Sequence, residues 1–225
     1  MPGYLTVNVE GRGLLAKEIN SINIPGRDGD YILESKYPPR EIKVYYYITA
    51  DSHPEWLERM QKLNQVLQTN ADVEFYFQDE NCKRYGRVIK TMDPPYDSHR
   101  GIGYFIIYCQ DPWAYKSIKS FNGEIITSNQ YPVKIEEISF TVSNSTNLVK
   151  IINSTTGKKI ILSGDFKSGD KVRITFDEIK VNERNRMNWL DPMVSDYHSF
   201  ELYSGDKLIV NNAKELVVNY RERLI

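Results

Sequence analysis

Asp28-Gly29-Asp30 and Glu136-Glu137 set carboxylates close together, and paired carboxylates can hold a cation or act as acid and base on one bond. A metal site of the nucleotide-sugar kind would place a phosphate-binding loop beside Asp28 and Asp30, and none accompanies them. Adjacent Glu136 and Glu137 on a strand would face opposite sides of a sheet, so they cannot flank a glycosidic bond. His53, His99 and His198 are dispersed, and no serine stands in a Gly-x-Ser-x-Gly elbow. Gly11-Arg12-Gly13 lacks the Lys-Ser/Thr pair of a mononucleotide loop and the third glycine of a dinucleotide fingerprint, and reads as a turn. These patterns predict no catalytic residue, no metal ligand and no cofactor.

What remains is the chemistry of recognition. In Ile24-Pro25-Gly26-Arg27-Asp28-Gly29-Asp30-Tyr31, proline fixes its own φ and glycine supplies φ > 0, so the chain reverses tightly with Arg27, Asp28 and Asp30 outward. At least one of Gly26 and Gly29 is expected at positive φ. The charges either meet a partner subunit or a neighbouring loop, or stand in water on a connector between two strands. Ile42, Val44, Tyr46 and Ile48 alternate with Lys43, Tyr45, Tyr47 and Thr49, which describes a half-buried strand with a tyrosine-rich outer face. Arg27, Asp28 and Asp30 with Tyr45 and Tyr47 form the candidate assembly surface. A sugar would need an aromatic platform instead, and the loop bearing Trp189, Tyr197 and His198 is the candidate for one.

The elements that must position these residues follow from pattern. Tyr4 to Val9 alternate as a first strand. Ser52-His53-Pro54-Glu55 has the spacing of a capping box, and Trp56, Met60, Leu63 and Leu67 then repeat on one face, so a helix is predicted from about Ser52 to about Gln68, its stripe buried against a sheet. Val73, Phe75 and Phe77 lead through Asp79-Glu80 to Tyr85, Arg87 and Ile89 as a hairpin. A proline-rich connector, Asp93-Pro94-Pro95-Tyr96, precedes Tyr104 to Cys109, which is apolar on both faces as a central strand would be.

Between Lys116 and Pro132 the chain turns polar and carries Asn122-Gly123. The expected division is residues 1–118 and 119–225. The second half reads as about eight short strands separated by turns, an antiparallel sandwich, with Ile138, Phe140, Val142, Val172, Ile174 and Phe176 inward and Ser139, Thr141, Arg173 and Thr175 outward. The 29 basic and 30 acidic residues nearly cancel, which argues against sequence-specific nucleic-acid binding. Cys82 and Cys109 are expected as free thiols of a reducing compartment. No apolar run is long enough to span a bilayer and no basic-then-apolar leader opens the sequence, so a soluble chain that is not Sec-exported is expected.

The succession of Ile24 to Tyr31, a tyrosine-rich strand, Ala50-Asp51-Ser52 before a single helix, Asp79-Glu80 in a hairpin and Cys109-Gln110-Asp111-Pro112-Trp113-Ala114-Tyr115 resembles the phage distal tail protein family. Asn153-Ser154-Thr155-Thr156-Gly157, Gly169-Asp170 and Phe200-Glu201-Leu202-Tyr203-Ser204-Gly205 extend the resemblance over nearly the whole chain. It implies an N-terminal β-sandwich or split-barrel domain with one helix, closing with its copies into a homohexameric ring, and a galectin-like C-terminal sandwich projecting outward. It further implies partners: the tail-tube protein above, the tail hub or tail-associated lysin below, and receptor-binding proteins on the outward domains. The setting would be the virion tail tip, after assembly in the host bacterial cytoplasm. No extra carbohydrate-binding domain is inserted in the second half. The competing function is a carbohydrate-binding module that adsorbs to the bacterial surface.

Overall fold

Alternation at residues 40–49 becomes a ten-residue strand in the computed structural model, which describes residues 2–95, 99–122 and 130–225. Tyr96 of the expected connector and Gly123 of the expected boundary turn lie outside the described residues. Packing divides the chain into residues 2–114 with Ile225, and Tyr115–Leu224.

In the first unit the elements are β1 (Tyr4–Glu10), β2 (Glu18–Asn23), β3 (Asp30–Lys36), β4 (Arg40–Thr49), α1 (His53–Leu67), β5 (Val73–Phe75), β6 (Arg84–Met92) and β7 (Arg100–Cys109). Five of the strands form an antiparallel sheet in the order β1-β4-β7-β6-β5, so the doubly apolar Tyr104 to Cys109 segment does sit on the central strand. β4 and β7 run in register from Arg40 opposite Cys109 to Thr49 opposite Arg100. Period-two alternation buries Ile42, Val44, Tyr46 and Ile48 and turns Lys43, Tyr45, Tyr47 and Thr49 to the other face. Gly103 lies opposite Tyr46, and a Cβ there would come within 2.6 Å of the Tyr46 ring, so glycine makes room for that ring.

The helix starts where the capping signal put it. Ser52 is the N-cap and accepts from the Glu55 N–H, while the Glu55 carboxylate accepts from the Asp51 N–H at 2.9 Å, one residue earlier than in a strict capping box. Trp56 and Leu63 are buried, and Met60 and Leu67 pack half-buried against the same core.

The second unit holds β9 (Lys119–Phe121), β10 (Lys134–Val142), β11 (Thr146–Asn153), β12 (Lys159–Phe166), β13 (Lys171–Ile174), β14 (Ile179–Val181), β15 (Arg184–Asn185), β16 (Leu208–Val210), β17 (Ala213–Arg221) and β18 (Arg223–Leu224), after β8 (Ala114–Tyr115), where the division falls. A six-stranded sheet, β15-β14-β13-β10-β17-β9, and a three-stranded one, β12-β11-β16, contribute to one core. Ile138, Phe140, Val142, Val172 and Ile174 from the first meet Val149, Ile151, Ile160 and Leu162 from the second, the sandwich expected from alternation.

Phe176 departs from that expectation. β13 ends at Ile174, so Phe176 falls in the following bend and is 42% exposed, its ring lying 5.7 Å from that of Tyr197. The strand ends because Thr175 closes a tight turn, accepting the Glu178 N–H on its hydroxyl and donating its own N–H to the Glu178 carbonyl.

Two quoted motifs of this unit prove to be halves of one buried network. Asn153, fully buried, donates from Nδ2 to the Asp206 carboxylate at 2.7 Å and accepts the Thr155 and Thr156 N–H groups on Oδ1. Asp206 in turn accepts the Tyr203 N–H, which sets the turn through Ser204 and Gly205.

Candidate assembly surface

The charged turn is the tip of a hairpin arm. β2 and β3 pair only with each other, in register from Glu18 opposite Lys36 to Asn23 opposite Asp30, with a bulge at the Asn20–Ser21 step. Gly26 and Gly29 both take positive φ, 83° and 77°, and the Arg27 N–H donates to the Ile24 carbonyl to close the reversal. Nothing lies within 4 Å of a Cβ at either glycine, so the turn needs their backbone freedom and not their small size. Arg27, Asp28 and Asp30 are exposed, and Asp30 is steadied within the arm by the Ser21 hydroxyl at 3.2 Å.

Every residue of the arm strands is exposed except Ser21, which is half-buried. Six of the exposed side chains are large and apolar: Ile19, Ile22 and Ile24 on one limb, Tyr31, Ile32 and Leu33 on the other. By register, Ile19 and Ile32 share one face and Ile22 and Tyr31 the other, so the arm is apolar on both sides. An isolated two-stranded hairpin is marginal in water, and large contiguous apolar patches on folded proteins are commonly sites of interaction.

The arm's base, by contrast, is tied down. Arg40, 2% exposed, donates from Nη1 to the carbonyls of Gly11 at 2.7 Å and Gly13 at 3.0 Å. Arg12, between them, makes a two-pronged pair with Asp79 at 2.7 and 2.8 Å and lies 4.6 Å from the centre of the Phe77 ring. The Arg12 pair lowers the pKa of the Asp79 carboxyl and raises that of Arg12. Gly11-Arg12-Gly13, a turn in sequence, is thus the anchor from which the arm departs.

Tyr45 and Tyr47 lie half-buried on the outer face of β4, between β1 and β7, and no hydrogen bond or ion pair joins them to Arg27, Asp28 or Asp30 among the described residues. The tyrosine strand is therefore a second surface. Its rings serve each other: Tyr45 and Tyr104 are 5.8 Å apart, and the Lys43 ammonium lies 4.5 and 4.1 Å from their centres. Hydrogen bonding to Tyr45 raises the Lys43 pKa. Sequence reasoning missed Arg40 and Lys43 as organising residues, since a buried arginine and an outward lysine on one strand obey the same alternation. It also left β2 and β3 undrawn. The run Tyr31-Ile32-Leu33 was the available signal, masked by polar residues on both limbs.

The aromatic residues of the loop in the second unit pack against that unit's own backbone and side chains. The Trp189 ring covers Gly164, where a Cβ would come within 2.2 Å of it, meets Phe166 edge-on at 4.8 Å and carries the Arg186 guanidinium at 5.1 Å. Tyr197 is buried and donates its hydroxyl to the Thr175 carbonyl at 2.5 Å, while His198 packs edge-on against it. Trp189→Ala should therefore destabilise this unit by about 3 kcal/mol or more, by opening the cover of Gly164 and Phe166. Calorimetry should show that loss, and binding of host cell-wall polysaccharide by the wild type, removed by the substitution with the fold intact, would make the loop a lectin site instead.

Among the described residues, no group of three or more His, Cys, Asp and Glu side chains could hold a metal ion, and no helix is long and apolar enough to cross a membrane. Cys82 and Cys109 are free and buried, and burial pushes the Cys109 thiol up to about 11.

Residues 2–107 match the family model for the phage tail protein RIFT-related domain, and residues 130–224 match the siphovirus-type tail component, C-terminal domain. The distal tail protein of Bacillus phage SPP1 is 30% identical over 116 residues, covering 50% of this chain and 45% of that protein, so the aligned part spans less than half of the curated relative. The crystal structure of SPP1 Dit, described as a paradigm of the hub adsorption apparatus in phages of Gram-positive hosts, superposes with a TM-score of 0.85 at 19% identity, covering 99% of this chain and 94% of that one. A chain of the phage P2 baseplate in its activated conformation with Ca gives a TM-score of 0.54 at 8% identity, covering 99% and 91%. At these identities the structural likeness establishes the fold.

Proposed function

Because the chain belongs to the distal tail protein family of siphovirus-type tail components, we propose that it is a structural virion protein whose copies close into a homohexameric ring at the tail tip. It is a structural tail component and not an enzyme. The ring joins the tail-tube protein on one side to the tail hub or tail-associated lysin on the other, and the second unit projects outward to hold receptor-binding proteins. Assembly takes place in the host bacterial cytoplasm.

The observation that carries this reading is the hairpin arm. A closed ring of identical subunits needs a head-to-tail interface, in which one patch of each copy meets a different patch of the next. An arm with a fixed base, a charged tip and apolar side chains on both faces supplies one such patch, in the unit whose family model is a tail-protein domain. Arg27, Asp28 and Asp30 at the tip, and Tyr45 and Tyr47 on the outer sheet face, are the proposed assembly residues.

Separately expressed residues 1–114 and 115–225 test where assembly resides. The first piece should oligomerise to the stoichiometry of the intact chain, and the second should remain monomeric in sedimentation. Oligomers of the second piece alone, with a monomeric first piece, would reverse these roles.

A further inference from the structure

The sheet of the first unit has an open edge. β5 covers only Arg84 to Gly86 of β6, and from Arg87 to Met92 the strand is paired with β7 on one side and with no described strand on the other. That stretch borders two adjoining grooves of about 460 and 360 Å³ between β6 and α1, lined by Met60, Asn64, Leu67 and Thr91 among others. Ile89 and Met92 on the strand, and Leu57 and Val66 on the helix, are exposed and apolar. An unpaired edge beside a groove is what strand addition uses: main-chain hydrogen bonds supply the affinity and the groove takes alternate side chains, here against a mixed lining that includes Leu57 and Ile89.

We propose that this edge receives the β2–β3 arm of a second copy of the chain. The inference rests on the ring reading above and gives its head-to-tail interface two named sides. Three observations commit the site to that occupant. The arm is itself a two-stranded sheet with unpaired edges, so it brings the hydrogen-bonding groups that the edge lacks. Its strands, six and seven residues long, match the six residues from Arg87 to Met92. Its charge bears on the same point: with Glu18, Asp28, Asp30 and Glu34 against Arg27 and Lys36 the arm carries −2, whereas the open stretch presents Lys90, with Arg87 held by Asp72 at its start and Asp93 in the groove just beyond its end. Added at this edge, one face of the arm turns its isoleucines towards the groove under α1, and the other continues the outer sheet face.

Amide hydrogen exchange on the intact protein tests the arrangement, with the double variant Ile22→Lys/Ile32→Lys as the arm-disabled reference. Both positions are exposed in the single chain, so the variant folds. In wild-type assemblies the amides of Val88 to Met92 should exchange at least tenfold more slowly than in the variant, which should have lost assembly. Lys90→Glu should weaken assembly, and reversing the arm with Asp28→Lys/Glu34→Lys in the same chain should restore it. If wild type forms its ring with Val88 to Met92 unprotected, or if the arm variant keeps their protection, the arm does not sit there, while the ring reading stands. A wild-type chain that never assembles removes the ring reading and this interface with it.

Discussion

Trp56→Ala should unfold the first unit more readily by about 3–5 kcal/mol, the range for deleting a large aromatic from a packed core. Trp56 is fully buried one turn into α1, among Ile42, Val44, Tyr46 and Ile48 of β4 and Phe105 of β7, so its removal leaves a void on the face where helix meets sheet. Its indole Nε1 has no hydrogen-bond partner among the described residues. That group forfeits hydration in the folded state, which costs about 1–3 kcal/mol and offsets part of what the ring contributes. Trp56→Phe, which removes the unpaired donor and keeps most of the apolar surface, should therefore cost well under half of the alanine value. Denaturant unfolding of the two variants decides the matter, and equal losses would mean that the indole nitrogen is satisfied in solution.

A comparable loss is expected in the second unit from Lys116→Ala/Lys119→Ala. Glu222 is 1% exposed, and its carboxylate is held by the Lys116 ammonium at 2.7 Å and the Lys119 ammonium at 2.5 Å. The same bond raises the Lys119 pKa. The two sides of this arrangement are unequal. Removing both lysines takes two charged partners from a buried carboxylate, at a cost of about 3–5 kcal/mol, whereas Glu222→Gln leaves two ammonium groups that already reach water and keeps the shape of the side chain. Glutamine should cost about 1–2 kcal/mol for the weaker hydrogen bonds. A double lysine variant no less stable than the glutamine variant would show that Glu222 finds other support.

How far the sequence carried these features depended on whether they were local. The helix was legible because Ser52, Glu55 and the Trp56-Met60-Leu63-Leu67 spacing all lie within one segment. The positive φ of Gly26 and Gly29 was legible for the same reason, since a turn is specified by the residues that make it. Phe176 broke its alternation because Thr175 and Glu178 end the strand two residues early, and a period of two cannot show where a strand stops. The anchor of the arm was illegible: Arg40 and Gly11 are 29 residues apart and Arg12 and Asp79 are 67 apart, and only the fold makes them partners. The open edge of β6 was equally hidden, because it exists only where β5 proves too short to cover it. Family resemblance, by contrast, pointed to assembly without saying which side chains carry it.

Native mass spectrometry of the intact protein tests the central claim most directly. The account predicts a closed assembly of six copies, about 157 kDa in all given 26.2 kDa per chain, with no open-ended series above it. A chain that remains monomeric at every concentration, or forms two-fold dimers through a self-complementary patch, would contradict it.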